Sequence, residues 1–228
     1  MERIFSLIAK INSTLLLLVL LAGGVSVGWV LWTNSQWKSR GAIEVPASDS
    51  SSSKSVFLRF ERIQKVTGSD TQMLLLSAED TSRKVYSGGS GSETRNVLFL
   101  TGTEKKARWL FQSQSNLILV TEQLREESDN ERRAPTKLLY FEFIPKDTNG
   151  DGKINSQDPS TVGLSKPDGT GFVEVLRDVT RVLSHELIDD KVLSIVFQSR
   201  QAIRHATFSL SSFAKVSEAE IVAVPAGL

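Results

Sequence analysis

The densest run of oxygen-bearing side chains in this chain is DTNGDGKINSQD, residues 147–158. Counted from Asp147, oxygens fall at positions 1, 3, 5, 9 and 12, on Asp147, Asn149, Asp151, Asn155 and Asp158. Gly152 stands at position 6, Lys153 at 7 and Ile154 at 8. This spacing suits a loop wrapped round a hard cation. Calcium takes roughly six to eight oxygens at about 2.3–2.6 Å, and a glycine permits the sharp turn before a backbone carbonyl ligand. Lys153 would supply that carbonyl, which tolerates a lysine because the side chain faces away. Ile154 would pin the loop to the core. Without a cation, Asp147, Asp151 and Asp158 would repel one another. The plainer reading is an Asn/Asp/Gly turn between strands.

The motif D-T-N-G-D-G-K-I-N-S-Q-D resembles the EF-hand loop, and more closely its dockerin-type variant, where position 12 is often Asp. The resemblance covers these twelve positions only. It implies one structural calcium ion held by Asp147, Asn149, Asp151, the Lys153 carbonyl, Asn155 and Asp158. The helix-loop-helix fold is not carried over, because the preceding KLLYFEFI is strand-like and no second loop follows.

Other chemistry is sparse. The chain has no cysteine, which excludes thiolate catalysis, disulfides and Cys-ligated metal centres. Its two histidines are His185, near Glu186, Asp189 and Asp190, and His205, beside Arg204. A His–carboxylate pair could transfer protons, but each histidine also fits a strand face. GGSGS, around Ser90, only superficially resembles a hydrolase motif, since no strand enters it. No P-loop, paired-His zinc motif or dinucleotide turn is present. No catalytic residue is assigned, and the chain is expected not to be an enzyme.

The elements that must position the loop read as strands. From residue 56 onward, short apolar or alternating runs are separated by turn signals, which predicts an antiparallel all-β domain over 56–228. The segment FVEVLRDVTRVLSHEL fits a helical stripe, but its β-branched content and flanking turns predict two strands. Residues 87–93 and 122–135 are expected as polar loops. A weak repeat runs over about 56–113, 116–178 and 179–213. Within it, DDKVLSIVFQSRQAIRHATFSLSSF resembles blades of TolB-type β-propellers. A closed propeller needs about four or more blades, so the expected fold is a sandwich or a partial blade-like array.

Residues 14–32 form a 19-residue run without charge. As a helix it would span about 28 Å, near the thickness of a bilayer's hydrocarbon core. Trp29, Trp32 and Trp37 gather at its end, as interfacial aromatics do. The organisation expected is a short cytoplasmic N-terminus at 1–13, one transmembrane helix at 14–32, a serine-rich tether at 33–55 and the exported domain. The net charge is +1, and four of the 27 basic and one of the 26 acidic residues precede Gly41. The remainder is slightly acidic and gives no reason to expect nucleic acid.

These readings converge on a single-pass protein, expected in a bacterial inner membrane with its domain in the periplasm. The domain would be a calcium-stabilised interaction or assembly module with a protein partner. An envelope hydrolase with a structural calcium, and a subunit of a membrane complex, are the alternatives.

Overall fold

The computed structural model describes residues 42–44, 56–80, 92–125, 134–188 and 191–223. The expected segments 1–13 and 14–32, the serine run and Ser90 lie outside them. All described residues except Ala42 belong to one compact unit, residues 43–228. Among the described residues every element is a strand, and no helix is long and apolar enough to cross a membrane.

The strands are β1 (Ala42–Glu44), β2 (Val56–Phe60), β3 (Gln64–Lys65), β4 (Gln72–Asp80), β5 (Ser92–Thr101), β6 (Lys106–Trp109) and β7 (Leu117–Arg125). They continue as β8 (Thr136–Ile144), β9 (Ser160–Ser165), β10 (Val173–Val179), β11 (Arg181–Ile188), β12 (Val192–Ser199), β13 (Ala202–Ser209) and β14 (Lys215–Ala223). One sheet runs β1-β2-β4-β5-β7-β8-β9-β10, with β3 on β4 and β6 on β5; the other runs β11-β12-β13-β14. Within the first, β5 and β7 share the single pair Thr94↔Ile118. The chain therefore folds as three consecutive antiparallel meanders: β2-β4-β5-β6, β7-β8-β9-β10 and β11-β12-β13-β14.

The middle strand β8 explains how they stack. Its sequence TKLLYFEFI is apolar at both parities, which an ordinary half-buried strand is not. Leu138 and Tyr140 pack with Leu193, Ile195, Phe197 and Phe208 of the third meander. Leu139, Phe141 and Phe143 pack with Met73, Val97 and Phe99 of the first. Successive side chains leave opposite faces of a strand, so the second meander is covered on both sides.

Several local expectations shift. Residues 173–188 do form two strands, broken at Thr180. Glu122 to Arg125, expected in a charged loop, extend β7, because Leu124 is buried in the core at the right parity. Ser92 and Glu93 likewise open β5 by continuing its ladder with β4. A short strand, β1, stands inside the stretch read as tether.

Candidate functional site

The loop between β8 and β9 holds every residue of the predicted cation site. Its side-chain oxygens turn back onto its own amides. Asp147 Oδ1 accepts from Gly150 N at 2.7 Å and Oδ2 from Gly152 N at 2.8 Å. Asn149 Oδ1 accepts from Asp151 N at 2.9 Å, and Asp151 Oδ1 from Lys153 N at 2.8 Å. Asn155 Oδ1 accepts from Gln157 N at 2.8 Å. Gly150 and Gly152 take φ of +77° and +75°, a left-handed conformation that side chains disfavour. Asn149, Asp151 and Lys153 are exposed, while Asp147 and Asn155 are half-buried. Ile154 is half-buried.

Asp158 differs from the rest, being only 4% exposed. Its Oδ1 accepts from Thr148 N and Thr148 Oγ1, both at 2.8 Å, and from Asn149 N at 3.3 Å; Oδ2 accepts from Asn155 N at 3.2 Å. The Thr148 N–H, the largest influence, helps hold this carboxyl below the ordinary range. Asp158 therefore ties the start of the loop to its end from inside, a role the spacing did not reveal.

The donor set is of hard oxygens, the kind calcium prefers over a soft metal. It mixes three carboxylates with two amides. Among the described residues no three carboxylate, imidazole or thiol side chains gather as a metal cluster.

A second constellation lies between the second and third meanders. His185 of β11 does not pair with its sequence neighbours. Its Nε2 lies 2.9 Å from Glu122 Oε2 on β7. Its ring stacks on Tyr140 at 4.4 Å with an interplanar angle of 11°. Tyr140 is fully buried and its hydroxyl has no hydrogen-bond partner. Burial, then Glu142 and Glu122, pushes that phenol far above its ordinary value. Glu142, two residues along β8, is raised by burial, against a Ser160 hydrogen bond of 3.1 Å and the charge of His185. His205 faces the other side of its sheet and shares a 3.0 Å hydrogen bond with Ser194 Oγ. The arrangement joins two sheets through a flat ring contact. Two grooves, of about 790 and 440 Å³, lie elsewhere, around Arg177, Ser199 and Arg204.

The outward face of the first meander is a third feature. Met73, Val97 and Phe99 point inward, so Leu74, Leu76, Leu98 and Leu100 lie on the opposite face, where Leu76 is buried with Leu58 and Ala78 in a small cluster of its own and Leu74, Leu98 and Leu100 are half-buried. Register places Leu98 between Leu74 and Trp109, and Leu76 beside Phe60. Trp109 is 39% exposed and stacks on Phe60 at 6.0 Å. Nearby Ile63 is 49% exposed. No periodicity in β6 announced this face; only the pairing assembles it.

No protein-family model matches the chain, and no curated protein matches it. Among solved structures, a luciferin-regenerating enzyme aligns with a TM-score of 0.35 and 10% identity, over 80% of this chain. The chain spans 65% of that enzyme's length. A likeness of this size carries no inference about activity.

Proposed function

We propose that this chain is a membrane-anchored, calcium-stabilised β domain of the cell envelope that works as an interaction or assembly module. The observation that carries the reading is the pair of exposed apolar side chains on the first meander, Trp109 and Ile63, beside the half-buried Leu74 and Leu98. Clustered exposed apolar groups mark interaction surfaces, and tryptophan is enriched where binding energy concentrates. The uncharged run at 14–32 supports an anchor in a bacterial inner membrane, with the domain on the periplasmic side. Three stacked meanders support a partial blade-like array over a two-sheet sandwich.

Calcium would be held by Asp147, Asn149, Asp151, the Lys153 carbonyl and Asn155, with Asp158 closing the loop. The ion supplies positive charge among three carboxylates, which orders the loop. Lone extracellular loops bind at about 10⁻⁴–10⁻³ M, and free calcium at 100 times Kd stabilises by about 2.7 kcal/mol. The melting temperature is expected to rise in millimolar calcium, and this response is expected to vanish in Asp147→Ala. An unchanged wild-type melting temperature removes calcium from the proposal.

The interaction role is tested by affinity capture of the full chain from detergent-solubilised native membranes, beside Trp109→Glu. Partners retained by wild type and lost by the variant are expected. Recovery of the wild-type chain alone would overturn the reading. The hydrolase alternative draws on the His185–Glu122 pair, but neither groove described above contains that pair.

A further inference from the structure

The chain contains one asparagine followed by glycine, Asn149–Gly150. An asparagine amide is an electrophile within reach of the next residue's backbone nitrogen, and glycine has no side chain to crowd the attack. Gly150 lies in open space, with no atom within 4 Å of the place a Cβ would take. Asn149 is exposed, and its own amide is held by Asp158 Oδ1 at 3.3 Å. The loop engages both reacting groups. Gly150 N, the nucleophile, donates to Asp147 Oδ1 at 2.7 Å, so a carboxylate stands where its proton must go. Asn149 Oδ1, the oxygen that takes up negative charge, accepts from Asp151 N at 2.9 Å. A positioned base and a donor aimed at the developing oxyanion are the two aids that acyl transfer uses. Among the described residues nothing is bonded to Asn149 Nδ2, the nitrogen that must leave. The other described asparagines lack this set. Asn96 and Asn116 are buried, and Asn155 Nδ2 is tied to Asp151 Oδ2 at 3.3 Å. Asp151–Gly152 repeats the geometry, with Gly152 N on Asp147 Oδ2 and Lys153 N on Asp151 Oδ1, both at 2.8 Å. A carboxylate, however, is a far poorer electrophile than an amide.

We propose that Asn149 is a site of self-catalysed deamidation, with Asp147 as the base that accepts the Gly150 amide proton. Gly150 N bonds to Asn149 Cγ as its proton passes to Asp147. Holding the two partners in one loop makes this step unimolecular. The tetrahedral centre then collapses, the Cγ–Nδ2 bond breaks, and Asp147 returns the proton to the departing nitrogen, which leaves as ammonia. The product is a succinimide ring. Water adds to either of its carbonyls. Opening on one side gives aspartate; opening on the other gives isoaspartate, whose main chain runs through Cγ. The net change is amide and water to carboxylate and ammonia, with nothing oxidised or reduced. Either product adds a negative charge to the connection between β8 and β9, and isoaspartate also lengthens its main chain by one carbon.

The test follows Asn149 in the freshly purified full chain in detergent, incubated at neutral pH with a calcium chelator. The chelator keeps Asp147 and Asn149 free of the ion proposed for them, so the outcome is independent of the calcium reading. Peptide mass spectrometry reads the conversion and separates aspartate from isoaspartate. The same chain in guanidinium supplies the rate without the loop's geometry, a comparison that needs no variant. Asn149 is expected to convert at least about tenfold faster in the folded chain, and Asp147→Asn is expected to lower that folded rate by at least about tenfold. Near-ultraviolet circular dichroism confirms that the variant is folded. In guanidinium the variant is expected to match wild type, because Asp147 is no longer held against Gly150 N. A folded chain in which Asn149 stays intact, or converts no faster than in guanidinium, overturns the proposal. So does a folded Asp147→Asn chain that converts at the wild-type rate.

Discussion

Replacing Tyr140 by Phe removes one oxygen from the centre of the molecule. In most proteins that change costs stability, because the hydroxyl gives up a hydrogen bond. Here the hydroxyl is buried without a partner. A buried polar group left unsatisfied costs about 1–3 kcal/mol. The ring is untouched, so its burial and its 4.4 Å stack on His185 persist. Tyr140→Phe is therefore expected to stabilise the domain by about 1–2 kcal/mol. For a domain of this size that raises Tm by roughly 2–8 °C.

A second consequence appears at high pH. The folded phenol titrates above the ordinary value of 10.0, mainly because burial disfavours the phenolate. A raised folded pKa contributes stability that is complete below the unfolded value and is lost as pH rises above it. One proton lost on unfolding steepens the decline by about 1.4 kcal/mol per pH unit above pH 10. Guanidinium titrations from pH 7 to 11 read both effects. Tyr140→Phe is expected to show the higher midpoint at pH 7 and a shallower alkaline limb. A variant less stable than wild type by 1 kcal/mol or more, or one with an unchanged alkaline limb, would refute the reasoning.

Asp158→Asn is expected to lower Tm at neutral pH by loosening the 148–155 loop. The folded carboxyl titrates low, so its contribution is present above the unfolded value and lost as pH falls through the folded one. The gap between variant and wild type should close on acidification from pH 6 to 2 in a thermal series. Glu142→Gln is expected to act with the opposite sign. Burial raises the Glu142 pKa, so its charged form opposes folding above the ordinary carboxylate range, and the variant should gain stability at pH 7 and little at pH 4. Phe141→Ala empties a fully buried site between the first two meanders and should cost about 3–5 kcal/mol in guanidinium unfolding. A cost under about 1 kcal/mol would mean that the two meanders barely pack there.

Much of the architecture was legible in the order of residues. The repeat read at 56–113, 116–178 and 179–213 falls on the three meanders, because each is built from local alternation and local turns. The strand pair at 173–188 was legible for the same reason. The charged run after Thr121 misled, because side-chain polarity at Glu122 and Arg125 hid the parity of Leu124, which carries β7 onward. The histidines misled differently. His185 was read beside Glu186, which alternation sends to the opposite face, while Glu122, 63 positions away, reaches it across two sheets.

Taken alone, the sequence determines the all-β class and the position of the oxygen-rich loop. It also marks out the uncharged run near the N-terminus. Strand alternation, turn chemistry and loop spacing are set by residues a few positions apart, so one linear reading contains them. Only the tertiary structure decides which parity of β8 meets which neighbour and that Asp158 fastens its loop from within. It alone leaves the Tyr140 hydroxyl without a partner and gathers Leu74, Leu98 and Trp109 on one face. Those outcomes depend on register between strands far apart in the chain. A shift of one residue exchanges the two faces of a strand, so the pattern that makes a strand cannot say what it will touch.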